Sequence, residues 1–214
     1  MAYIIDETYF VRKYLVPNAQ ELNSGANEQL KGYIDSMARL CLKDALGNVL
    51  FKDLDDNITA GNLDGDAPQK WLNLVNGVEY VLDGTTYTWE GLIQENGAFN
   101  ESLLTPFVFY HWLYDNQSRM SGVGEVVTIA KNAINVNSTQ RLVSTWNDFV
   151  SNYQTGCNNY SPSIYFKGGI RVIDWVGNNT NSDYVSLIKF LSDNETDYPE
   201  AALKMYKAKN QLGI

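Results

Sequence analysis

The chain's single histidine, His111, lies in the run "LLTPFVFYHWLYDN" at positions 103–116, and it is the first residue to ask for chemistry. An imidazole titrates near neutral pH and suits general acid–base work. Its sequence neighbours are Tyr110 and Trp112. A nucleophilic triad would need a Ser or Cys and an acid brought beside it, and no G-x-S-x-G elbow is present. His111 is therefore read as a core or interface residue. Asp53, Asp55 and Asn57 imitate the opening of a calcium loop, with Asp64 where the closing Glu should fall. Ile58, however, stands where that loop requires Gly for its sharp turn. The stretch reads as a solvated acidic loop. "SGVG" at 121–124 and "KGG" at 167–169 match neither a dinucleotide fingerprint nor a phosphate-cradling loop. Paired acids such as Asp55/Asp56 and Glu195/Asp197 sit in polar loops. Cys41 and Cys157 belong to no C-x-x-C pair, and with one histidine they cannot furnish a structural zinc site. The expectation is no catalytic residue, no cofactor and no metal.

Aromatic surface is the remaining resource. Tyr80, Tyr87 and Trp89 fall on one face of a hairpin, and Phe107, Tyr110, His111, Trp112 and Tyr114 crowd one helix. These eight are the candidate interface residues, because Tyr and Trp dominate contact energetics. The hairpin trio could instead stack on sugars in a carbohydrate- or ligand-binding module, or pack on its own core.

The positioning elements follow from periodicity. Residues 6–16 read as a short helix capped by Asp6 and ended by Pro17. Leu30, Tyr33, Ile34, Met37, Ala38, Cys41, Ala45, Leu46 and Val49 recur at three- and four-residue steps. They predict a long amphipathic helix capped by Asn27, with Asp35→Arg39 as an i,i+4 pair. Residues 53–68 are acidic and aperiodic, hence a loop. In "NGVEYVLDGTTYTWEGL", Asp83-Gly84 suits a type I′ turn that pairs Leu82 with Thr85, Tyr80 with Tyr87 and Val78 with Trp89.

The opening run predicts a helix from Thr105-Pro106, or one begun near Asn100 and kinked at Pro106. It is apolar all round for two turns, which demands cover on several sides. "EVVTI" is a short strand. Ser138 caps a helix over about 139–153, with Leu142, Trp146, Phe149, Val150 and Tyr153 on one face and Gly156 closing it. Two short strands are expected within 160–176, a helix capped by Ser182, and a last short helix with Pro199 in its first turn. The fold class is thus mainly α with β additions, α+β: a helical bundle core with an inserted hairpin. One domain spans 1–214, with a hairpin insertion at 71–93 and a strand-plus-helix extension at 160–214.

Bulk composition sets limits. With 214 residues, 44% hydrophobic and 19% charged, the chain can bury a sizeable core. Its net charge of −9, with no basic stripe, argues against an electrostatic grip on nucleic acid. Asp6 and Glu7 interrupt any signal-like apolar run, and no window predicts a membrane span, so an intracellular protein is expected.

The order of elements is familiar. "IIDETYFVRKYL" leads through a polar loop to "NEQLKGYIDSMARLCLKDALG". After an insertion come "LLTPFVFYHWLYDN", "SGVGEVV" and "STQRLVSTWNDFVSNY". Over roughly residues 1–155 this resembles the head-to-tail connector proteins of tailed bacteriophages, the adaptor or head-completion proteins, in particular neck ring proteins of crAss-like phages. The resemblance implies a largely helical subunit of a homo-oligomeric ring, typically of twelve copies, beneath the portal protein. It would join the capsid vertex to other neck or tail proteins in the virion and let DNA pass without sequence-specific binding. It implies no catalysis, no cofactor and no membrane. The hairpin and the 160–176 strands exceed the family's minimal pattern and would reach a neighbouring component.

Overall fold

The computed structural model describes residues 3–21, 24–95, 100–116, 119–121, 124–126, 139–154 and 185–210. Among them six α-helices and four two-stranded antiparallel ladders make an α+β fold.

The N-terminal segment is tighter than an α-helix. Two 3-10 turns, Glu7–Tyr9 and Arg12–Tyr14, replace the single helix predicted over 6–16. Asp6 does cap the first, accepting from the Thr8 N–H at 2.8 Å. Phe10 and Tyr14 are buried as expected.

The long amphipathic segment forms three joined pieces: α1 (Gly25–Tyr33), one π-helical turn (Ile34–Ala38) and α2 (Arg39–Asp55). Its cap is Ser24, whose Oγ accepts from the Asn27 N–H at 3.0 Å. Asn27 is instead fully buried and donates its side-chain amide to the Ala19 carbonyl. Leu30, Ile34, Ala38, Cys41, Ala45 and Leu46 form the buried stripe, and Arg39 pairs with Asp35 at 3.2 Å. Val49 does not join them; it is 82% exposed. The cause is Gly47, at φ 81° and ψ 171°, a backbone state open to glycine and costly for other residues. The helix breaks there, and Leu50 and Leu54 turn inward in place of Val49.

The segment 53–68 is more ordered than a loop. Asp53 to Asp55 complete α2, and β1 (Ile58–Thr59) pairs with β2 (Asn62–Leu63). Next comes α3 (Gln69–Asn76), which takes up the first six residues of the 71–93 region assigned to the hairpin; Trp71, Leu74 and Val75 bury its inner face. The hairpin β3 (Val78–Leu82) and β4 (Thr85–Trp89) has the expected register, and Asp83 and Gly84 both take positive φ, as a type I′ turn requires.

A second ladder pairs β5 (Ile93–Glu95) with β6 (Asn100–Ser102). It delivers the chain to α4 (Leu104–Asp115). The helix therefore starts two residues before Pro106, so Thr105 is not its cap and no kinked helix extends from Asn100. Ser102 makes the junction: its Oγ accepts from the Leu104 N–H at 3.0 Å and donates to the Leu92 carbonyl at 2.7 Å. The ladder β7 (Arg119–Ser121) and β8 (Gly124–Val126) follows.

Helix α5 (Thr139–Gln154) buries Leu142, Trp146, Phe149, Val150 and Tyr153, the face predicted. Ser138, Gly156, Cys157, Ser182 and the strands expected in 160–176 lie outside the described residues. Helix α6 (Leu187–Asp193) is capped by Ser186, whose Oγ accepts from the Lys189 N–H. Residues 201–210 hold no helix, contrary to the last one predicted. Among the described residues no helix is long and apolar enough to cross a membrane.

Candidate interaction surface

The eight candidate residues fall into two groups. Hairpin pairing stacks Tyr80 against Tyr87, with ring centroids 5.7 Å apart. Helix α6 covers that face. Trp89 lies parallel to Phe190 at 5.4 Å and donates its indole N–H to the Leu74 carbonyl at 2.9 Å. Tyr80 meets Phe190 edge-on and donates its hydroxyl to Asp193 at 2.6 Å. Lys189 lies 4.6 Å over the Tyr87 ring. The Val185 N–H adds a bond to the Thr88 carbonyl at 3.0 Å, tying the start of α6 to the strand. Trp89 is only 1% exposed, while Tyr80 and Tyr87 are half-buried. This face of the hairpin packs against the core, with Trp89 buried outright, while Val81 on the other is exposed.

The second group is α4. Leu104 to Tyr110 are buried on every side, which answers the all-round apolar pattern. Helix α5 supplies much of the cover: Phe107 sits 4.8 Å from Phe149, and Tyr110 sits 4.7 Å from Trp146. Tyr14 closes another side against Phe109 at 5.6 Å, and its hydroxyl donates to Asp148 on α5. His111 is half-buried between Phe107, 4.7 Å away, and Tyr110, 5.3 Å away. Burial lowers its pKa, Asp115 pulls it back up, and Lys209 lowers it further. This is a ring-packed imidazole, with no Ser or Cys among those contacts.

The last turn of α4 emerges into solvent. Trp112 stacks on Phe109 at 5.7 Å, and Tyr114 stacks on Tyr110 at 6.2 Å while remaining 60% exposed. Hydrogen bonds from Tyr33 to Asp115 (2.8 Å) and from Gln29 to Asn116 (3.1 Å) fasten this turn to α1. Burial, then the bond to Asp115, pushes the Tyr33 hydroxyl up to about 12. The exposed Tyr114 ring thus rests against the buried Tyr110 ring.

The calcium-like acids do not converge. Asp53 pairs with Lys70 at 2.6 Å, Asp55 with Arg39, and Asp64 accepts from the Thr59 hydroxyl at 3.2 Å. Among the described residues no group of three His, Cys, Asp or Glu is placed to hold a metal ion. Cys41 is fully buried, and burial pushes its thiol well up, away from the reactive thiolate.

Sequence reasoning missed the seat of the segment 203–209. Tyr206 enters a box of Phe149 (5.3 Å), Trp146 (5.4 Å) and Tyr153 (5.2 Å), and its hydroxyl donates to Asp44 at 2.6 Å. The signal was hidden because Ala201 to Lys209 read as good helix formers.

No protein-family model matches the chain. No curated protein and no solved structure matches it either.

Proposed function

We propose that the chain is a structural subunit of the head-to-tail connector of a tailed phage. In this reading it forms a homo-oligomeric ring, of about twelve copies as the resemblance implies, that joins the portal protein to neck and tail components in the virion and extends the DNA channel. The observation that carries it is α4. Among the described residues the most aromatic helix runs from complete burial to Tyr114, 60% exposed and stacked on Tyr110. A pre-ordered aromatic costs little entropy to dock and is the residue type that anchors protein contacts. The order of elements supports the same reading. A net charge of −9 suits a lumen wall that repels passing DNA, and it gives no grip on sequence.

The test is negative-stain electron microscopy of the purified chain, alone and with the portal of the genome that encodes it. Rings with a central channel are expected, and Tyr114→Asp should disperse them while leaving the circular dichroism unchanged. Monomers under both conditions overturn the reading.

A further inference from the structure

The segment Leu203 to Lys209 lies in a groove that reads backbone. Most of the groups that hold it recognise the peptide chain, and Tyr206 and Lys204 add side-chain contacts. The break at Gly47 frees two carbonyls of α2: the Leu203 N–H donates to Ala45 at 2.9 Å and the Lys204 N–H to Asp44 at 3.1 Å. Gln154 then brackets Tyr206, accepting from its N–H at 2.8 Å and donating to its carbonyl at 2.7 Å. Asn147, seven residues earlier and so on the same face of α5, brackets Lys209 in the same way, at 2.8 and 2.9 Å. Between them the Trp146 indole N–H donates to the Lys207 carbonyl at 2.7 Å. Each amide side chain thus pairs with both the donor and the acceptor of one residue, as a neighbouring β-strand would. Tyr206 in its aromatic box fixes the register.

What joins this strap to the body is short and strained. Tyr198 is buried, with its hydroxyl on the Lys70 carbonyl and its ring 5.8 Å from Trp71. After it come Glu200 at φ 59° and Leu203 at φ 45°, a left-handed state that a bulky L-residue rarely adopts. Straightening 199–203 would release that strain, and short strained hinges favour exchange between copies.

We infer that the α2–α5 groove is a binding site for an extended peptide, and that it takes residues 199–210 of a second copy. The contacts formed in trans are those formed in cis, so only the hinge and the loss of tethering distinguish the two states. Charge favours a copy of this chain as the partner. Residues 203–210 carry Lys204, Lys207 and Lys209 and no acid, so the rest of the chain carries −12, its −9 without these three positive charges. Asp44 meets both the Lys204 ammonium, at 2.6 Å, and the Tyr206 hydroxyl. This rests on the reading that copies of the chain assemble.

The test uses two full-length variants. Asn147→Ala/Gln154→Ala keeps the strap and loses the brackets. Tyr206→Pro keeps the groove and loses both the bracketed N–H and the anchoring ring. Each is expected to stay monomeric alone, whereas an equimolar mixture should give a heterodimer by native mass measurement. Folded variants that do not associate overturn the proposal. Should either variant fail to fold, the wild-type chain is titrated with a fluorescent peptide of sequence PEAALKMYKAKN. Saturable binding is expected, weakened about tenfold when the peptide carries Pro at the position of Tyr206, since each lost hydrogen bond costs up to about that factor. No binding up to about millimolar, the effective concentration against which the tethered strap competes, also overturns it. Rings without complementation would leave the connector reading standing and remove this one; complementation without rings would do the reverse.

Discussion

Exposure separates the aromatic residues by what their loss should do. Trp89 is buried, stacked and hydrogen-bonded, so Trp89→Ala should cost about 3–5 kcal/mol of folding stability. Tyr114 makes its ring contact at the surface, and Tyr114→Ala should change stability by no more than about 0.5 kcal/mol. The same change should weaken self-assembly by about tenfold if that ring anchors a contact. Urea denaturation and concentration-dependent mass measurement read the two effects apart. His111 gives a pH signature. Its folded pKa lies below the ordinary value of 6.5, so the unfolded chain binds the extra proton first. Its contribution is intact above that value and is lost as pH falls below it. Between about pH 7.5 and 5.5 the wild type should lose more stability than His111→Gln, and equal slopes would show that the imidazole is not buried in solution.

Gly47 is the pivot among the elements. A Cβ there would sit 3.4 Å from that of Ala202, on a backbone that only glycine takes easily. Gly47→Ala should cost about 1–3 kcal/mol and speed hydrogen exchange at the Leu203 amide, whose acceptor the break exposes. Unchanged exchange would detach the break from the strap. That residue also explains where the sequence was readable. Helix α5 was legible because five apolar side chains repeat at helical steps with nothing to interrupt them. The hairpin was legible because Asp83-Gly84 dictates both turn and register. Val49 was misplaced because periodicity alone does not say which glycine a helix tolerates and which breaks it. Helix α3 was missed although Trp71, Leu74 and Val75 fall at helical steps, because it is only two turns long and runs directly into the hairpin. The segment 203–209 escaped for a tertiary reason. Its residues favour a helix, but free carbonyls on α2 and two amide side chains on α5 claim its backbone.

For the whole molecule, the candidate residues divide by role. Tyr80, Tyr87, Trp89, Phe107 and Tyr110 hold the fold together, His111 fills the seam, and Trp112 and Tyr114 lead outward. The chemistry considered at His111 and at the acidic stretch has no assembled group behind it among the described residues: the imidazole packs on rings, and Asp53 and Asp55 pair with separate cations. What the fold does present is an exposed aromatic turn and a groove that holds the backbone of residues 203–209, which the proposed reading takes as contact surface. The central claim is that the chain works by joining copies of itself to one another and to a portal. The most direct measurement is the mass of the particle formed by the wild-type chain on that portal, read beside Tyr114→Asp. The account predicts a closed ring of one stoichiometry that the substitution abolishes without unfolding the subunit. A chain that stays monomeric on the portal, or a ring indifferent to Tyr114, would contradict it.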